Sequence, residues 1–365
     1  MISRQLGLLV VYLSICTLAL SAEGFVTQPT NDPPDQSDLI QKKIDDARDQ
    51  ALQISGKIAR VKIPVTLKAG IYHLRKSLVL DPAYVLLRCD GFCQLDFSDL
   101  PQGKTAITIS PNSDPYRAGG YVLENIHISG GFGRQNIPAR KGLSWSASNL
   151  AVSNIQVSGF EICEEYGDNA YLIAHYKSKL YWCGTAIHFP AGLKNAGENI
   201  SYFGAEIFDS NNGLVSDASE GTSFNFFGCS FDYLGNWRAA GKRATEDPVA
   251  FFSLAGRTRV FLSGSHLEGW DFDTPPIQLK DKASFMMQGE TFSSTVQPYK
   301  GSLALFRKKK PEHSLVICES NLNQISFQGV NFIRLPVNLN RSDQFEQNLV
   351  SERCSYDMLG CHSTE

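Results

Sequence analysis

The hydrophobic pattern changes period once along the chain. In "SDLIQKKIDDARDQALQ", Leu39, Ile40, Ile44, Ala47 and Ala51 recur at helical spacing and define one apolar stripe, with Ser37 or Asp38 placed to cap its start. The spacing predicts one amphipathic helix over 37–57, laid against something apolar. From about residue 58 the period falls to two. The runs "ARVKIPVTLKAGIYHL", "SLVL" and "YVLLRC" alternate and are closed by Gly, Pro or Asp, which reads as successive short strands. Helical spacing does not return.

The alternation repeats. "YVLENIHISGG", "LAVSNIQVSGF", "ENISYFGAEIF", "SFNFFGCSFDY", "RVFLSGSHLEG" and "SFMMQGETFSS" each pass through a small residue into a second short strand. Aligned on Gly204, Gly228, Gly264 and Gly289, the spacings are 24, 36 and 25, so the middle interval is one unit plus a loop. Units of this length suit one coil of a parallel β-helix. A single coil cannot bury its inward residues alone, whereas coils stacked about 4.8 Å apart satisfy the backbone and build a continuous core. A propeller would show a longer period with four strands per blade, and a sandwich would not explain the aligned glycines. The predicted organisation is a linker over 23–36, a capping helix over 37–57, a β-helix over 58–335 and a polar tail over 336–365.

Stacked coils turn matched positions into neighbours. Four residues beyond the aligned glycine the column reads Phe208, Asp232, Glu268, Ser293; two beyond, it reads Glu206, Ser230, His266, Thr291. Asp232 and Glu268 are thereby expected side by side on one face, with His266 and Glu206 flanking them. Paired carboxylates are what glycosidic hydrolysis requires, one protonating the leaving oxygen while the other attacks the sugar or activates water. Tyr233, Trp237, Trp270, Tyr171 and Trp182 offer flat faces for sugar rings. The competing reading is that outward acids on such strands are only solvated or guard against edge pairing.

Other candidates carry less. "EEYGDNAYL" places Glu164, Glu165, Asp168 and Asn169 in a turn before a strand, with sugar or calcium contact at Asp168 and Asn169 as the alternative to plain turn chemistry. Asp209 precedes the Asn-Asn-Gly turn of "FDSNNG" and is a candidate for the groove. "RKKKPEH", residues 307–313, reads as a solvated loop, with binding of an acidic glycan as the alternative, and Asn199 and Asn340 match the glycosylation sequon. There is no phosphate-binding loop and no nucleophile elbow, and no metal or other cofactor is expected.

Composition narrows the class. With 42% hydrophobic residues in 365, the chain is long enough for a substantial core; 30 glycines and 22 phenylalanines favour strands and turns over helices. The first 22 residues carry Arg4, an apolar run shorter than the roughly 20 residues of a spanning helix, and small residues up to Ala22. They read as a secretory signal, placing the mature chain outside the cell or in a periplasm, with no membrane association after cleavage. Its removal leaves 33 basic against 37 acidic residues, a charge of −4, and nothing in that balance points to nucleic acid. Of the eight cysteines that remain, Cys89/Cys93 and Cys354/Cys361 are the expected disulfides. Cys163, Cys183 and Cys229 read as small apolar strand residues.

"IQKKIDDARDQALQ…VKIPVTLKAGIYHL" resembles the N-terminal signature of pectate-lyase-like right-handed parallel β-helix proteins, with residues inserted between the Pro and the Gly-x-Tyr. The middle, from "DNAYLIAHYKSKLYWCGTAIHF" through "FNFFGCSFDYLG" to "SHLEGW", is similar to the β-helix domain of bacteriophage tailspike depolymerases. The resemblance implies an all-β right-handed solenoid, often trimeric, that cleaves a bacterial surface polysaccharide in a groove, with Asp232 and Glu268 as the working acids. A signal peptide in place of a virion-attachment domain suits a cell-encoded exported glycoside hydrolase acting on an exopolysaccharide or capsule. The alternatives are a polysaccharide lyase acting by β-elimination on a uronate, and a non-catalytic glycan-binding β-helix.

Overall fold

The computed structural model describes residues 33–55, 61–111, 119–131, 140–218, 221–232, 234, 250–269, 276–289, 291–293, 316–320, 322–333, 355–359 and 362–364. The proposed signal segment, Tyr233, Trp237, Trp270, Asn340, the "RKKKPEH" loop and the Cys354/Cys361 pair lie outside them. Asp35–Glu365 forms one compact unit.

Among the described residues the helix runs over Ser37–Ser55. Ile40, Ile44, Ala47 and Ala51 are buried, but Leu39 is 56% exposed and leaves the predicted stripe. Capping also differs. Asp35 Oδ1 accepts the Ser37 amide, while the Ser37 hydroxyl accepts the amides of Arg75 and Lys76 at 2.9 and 3.0 Å, pinning the helix to the first coil. Further along, Gln41 Oε1 accepts the Val79 amide and Gln41 Nε2 donates to the Val79 carbonyl, at 2.9 and 3.1 Å. Val79 lies in Leu78–Leu80, the edge strand of its sheet, so one helical side chain satisfies backbone groups that would otherwise template another strand.

Every strand pairing among the described residues is parallel, in one sheet of 19 strands and one of nine. A typical coil contributes two short strands to the larger sheet and a third to the smaller: Thr222–Phe227 and Ser230–Asp232, then Phe252–Leu254. The two strands of the larger sheet meet at a left-handed residue. Gly204, Gly228, Gly264 and Gly289 take φ of 60°, 60°, 62° and 66°, and Gly329 continues the column at 60°. An added Cβ at Gly204, Gly264 or Gly289 would meet nothing within 4 Å, so backbone conformation and not crowding asks for glycine there. Asn154 and Lys177 adopt φ of 51° and 54° in the equivalent turns of earlier coils.

Inward residues stack into apolar columns such as Val157, Leu180, Ile207, Phe231 and Leu267, all fully buried. Two disulfides lie among the described residues. Cys89–Cys93 is as expected, and Cys163–Cys183 replaces the reading of those two as unpaired apolar residues. The coil brings their Cα atoms to 5.9 Å, a distance invisible in a separation of 20 residues. Cys318 is disulfide-bonded as well, and Cys229 remains a buried thiol.

Glu164 and Glu165 are not in a turn; both lie in the strand Ile162–Tyr166. Glu164 occupies an inward column otherwise made of Leu143, Ile187, Leu214 and Phe252, and is wholly buried. Tyr202 Oη donates to its Oε2 at 2.8 Å, Tyr166 Oη lies 2.8 Å from Tyr202 Oη, and His175 Nε2 lies 3.1 Å from Tyr166 Oη. His175 Nδ1 faces Glu164 Oε1 at 3.6 Å. Burial pushes Glu164 up to about 8, against the pull of the Tyr202 hydrogen bond, and pushes His175 down to about 3. At neutral pH this is therefore a neutral acid beside a neutral imidazole, not an ion pair. The hydrogen-bonded chain runs from His175 Nε2 through Tyr166 and Tyr202 to Glu164 Oε2, while Glu164 Oε1 and His175 Nδ1 face each other without a hydrogen bond.

Candidate active site

Phe231 and Leu267 point into the core, so strand alternation turns Ser230, Asp232, His266 and Glu268 outward. The coil register then pairs Ser230 with His266 and Asp232 with Glu268, and continues to Thr291 and Ser293. These are the columns expected from the glycine alignment.

His266 Nε2 stands 3.0 Å from Asp232 Oδ1 and 3.9 Å from Glu268 Oε2. One ligating atom from each of the three side chains lies within 4.8 Å of the others. The side chains are 24%, 45% and 33% exposed for Asp232, His266 and Glu268, open enough to meet a substrate. Ser230 Oγ donates to Asp232 Oδ2 and lies 3.1 Å from His266 Nε2. With its one proton committed to Asp232, Ser230 accepts from the imidazole and so links His266 to the Oδ2 side of Asp232.

The other expected residues are distributed more widely. Glu206 is in the His266 column beyond Ser230, but its Oε2 is held by Lys179 Nζ at 2.7 Å, away from the pair. Asp209 follows the strand Glu206–Phe208 with φ of 49°, and its amide donates to the Asp232 carbonyl, so its backbone adjoins the site. Asp168 and Asn169 are not brought to the acids. Asp168 Oδ1 accepts the Lys194 amide at 2.8 Å and Asn169 Oδ1 accepts from Asn195 Nδ2 at 3.1 Å, as turn residues stacked on the turn of the next coil. Tyr171, in the same turn region, is only 9% exposed and presents no open face.

The aromatic surface beside the acids comes from Trp182, which the sequence offered as a flat face, and from Phe208 and Tyr181, which it did not. Phe208 occupies the column next to Asp232 and stacks on Tyr181 at 4.8 Å with an interplanar angle of 3°. Trp182 meets Tyr181 edge-on at 4.7 Å. Beyond them, Tyr181 Oη lies 3.2 Å from His127 Nε2, which is 2.8 Å from Ser158 Oγ. Burial pushes His127 down to about 4, only partly offset by Asp96. One outer wall thus carries the acid pair, a stacked aromatic pair and a neutral imidazole in sequence. The signal for Phe208 and Tyr181 was present in the column alignment, which places both in register with Asp232.

No protein-family model matches the sequence, and no curated protein is significantly similar to it. Solved structures are. The enzymatically active domain of bacteriophage CBA120 tailspike protein 4 is 15% identical with a TM-score of 0.62, over 90% of this chain and 42% of that one. The chain therefore spans about two fifths of that tailspike chain. DFA-IIIase from Arthrobacter chlorophenolicus A6, without its lid, is 13% identical with a TM-score of 0.54, over 93% of this chain and 88% of that one. The enzymatically active domain of tailspike protein 2 from the same phage is 11% identical with a TM-score of 0.50, over 91% and 45%. The likeness shows the fold: the chain is a right-handed parallel β-helix.

Proposed function

We propose that the protein is an exported glycoside hydrolase that cleaves a bacterial exopolysaccharide or capsule, using Asp232 and Glu268. The observation that carries this reading is the direct register of the two acids on adjacent coils, with one oxygen from each inside the 4.8 Å cluster they form with His266. That upper bound on the approach of their oxygens falls short of the roughly 6.5–9.5 Å that leaves room for an inverting water, and it supports a retaining arrangement.

Asp232 is the nucleophile. Ser230 holds one of its oxygens and His266 lies against the other, fixing the carboxylate before substrate arrives. Glu268 protonates the leaving glycosidic oxygen as Asp232 forms the bond to the anomeric carbon. It then takes a proton from the water that releases the sugar from Asp232, so the proton returns to Glu268. Half-buried Phe208, backed by the buried Tyr181 stacked on it, supplies apolar surface for a neighbouring sugar along the wall. The carbohydrate-processing enzymes that share the fold support a glycan as substrate, and a homotrimer with grooves along or between subunits accords with the tailspike likeness.

The test is incubation of the purified mature protein with the producing organism's own exopolysaccharide, followed by size exclusion and mass spectrometry of the products. Hydrolysis gives shortened chains that have each gained one water. Unsaturated fragments absorbing in the ultraviolet would replace this reading with a lyase, and binding without shortening would replace it with a glycan-binding role.

A further inference from the structure

We infer that Asp232, His266 and Glu268 form a binding site for one divalent transition-metal ion of the zinc type. No sequence motif announces it, because the ligands come from two coils and lack the close spacing of familiar zinc motifs.

Zinc held at about 2.0–2.1 Å in tetrahedral geometry needs its ligand atoms roughly 3.3 Å apart. His266 Nε2 is already 3.0 Å from Asp232 Oδ1 and 3.9 Å from Glu268 Oε2, and one ligand atom from each of the three residues lies within 4.8 Å of the others. Small side-chain rotations close the difference. A second observation points the same way. Asp232 Oδ1 is shielded from solvent and accepts no hydrogen bond, although His266 Nε2 is only 3.0 Å away. The two atoms are close without being aimed at each other, the arrangement expected of donors converging on a shared third point. Ser230 holds the other oxygen, Oδ2, and so acts as an outer partner that orients a ligating carboxylate.

The donor set selects the metal. One imidazole nitrogen with two carboxylates suits zinc, cobalt, nickel or copper, whereas calcium wants six to eight oxygens. Three protein ligands on a partly exposed wall leave a fourth position for water. The site itself rests on geometry alone. Its consequence rests on the hydrolase reading: an ion here occupies the oxygens of both working acids, so it inhibits cleavage.

The experiment is titration of tag-free mature protein with cobalt(II), read by visible absorption, and with zinc in competition. We expect one equivalent bound by the wild type, affinity weakened about a hundredfold in both His266→Ala and Asp232→Asn, and a smaller loss in Ser230→Ala. Circular dichroism of the variants confirms that they are folded. Absence of cobalt binding, or binding that survives in folded His266→Ala, overturns the site. Zinc inhibition relieved by a chelator supports the consequence; cleavage that is indifferent to bound zinc, or needs it, leaves the metal site standing and overturns the metal-free use of the two acids.

Discussion

Asp232 and Glu268 are register partners on successive coils of the solenoid, although the loop between them makes this the longest of the aligned repeats. Their closeness follows from backbone pairing, and it is held by the buried Phe231 and Leu267 on the opposite face of the same strands.

Asp232→Asn and Glu268→Gln should each lower chain shortening by about 10²–10⁴-fold while leaving polysaccharide binding in place. Reducing-end release, with binding followed separately, checks this. Proton NMR of the first-formed product should show retained anomeric configuration; inversion would exclude the nucleophilic role of Asp232.

The buried polar cluster at Glu164 should make stability depend on pH in a defined direction. Its carboxyl, at about 8 in the fold against an ordinary 4.5, contributes stability that is complete below about pH 4.5 and is lost as pH rises to about 8. The stability difference between wild type and Glu164→Gln should therefore shrink by about 1.4 kcal/mol per pH unit across that window. His175 has the opposite sign. Held at about 3 against 6.5, it contributes fully above about pH 6.5 and loses that contribution as pH falls toward 3. Denaturant melts of wild type, Glu164→Gln and His175→Gln between pH 3 and 9 measure both slopes.

The left-handed turn column gives a paired test. Gly264→Ala places a Cβ at φ of 62° and should cost about 1–2 kcal/mol. Lys177, already a non-glycine residue at φ of 54°, should gain stability as Lys177→Gly. Thermal melts of opposite sign confirm that backbone strain decides the residue at this turn.

Loss of the Cys163–Cys183 bridge should destabilise the protein by about 3 kcal/mol, from the loop it closes across 20 residues. Cys163→Ala with Cys183→Ala, compared with wild type with and without reductant, checks the magnitude. Peptide mapping under non-reducing conditions checks the pairing.

Much of this was legible in the order of residues. Period-two alternation and the recurrence of Gly204, Gly228, Gly264 and Gly289 specify a coil with a left-handed turn, because few other residues take that conformation cheaply. Once coils stack in register, the sequence alone determines that Asp232 neighbours Glu268 and that His266 stands beside them. Periodicity does not say what fills the lumen. Glu164 looks like turn material beside Gly167 and Asp168, and only the three-dimensional packing places it inward, where His175, Tyr166 and Tyr202 make it tolerable. Cys163 and Cys183 likewise become partners only because the coil folds back on itself. The sequence settled contacts that repeat from coil to coil, since these follow from one backbone register. Tertiary structure decided contacts across the interior and the direction of individual polar atoms, since these depend on distances between strands that no local pattern encodes.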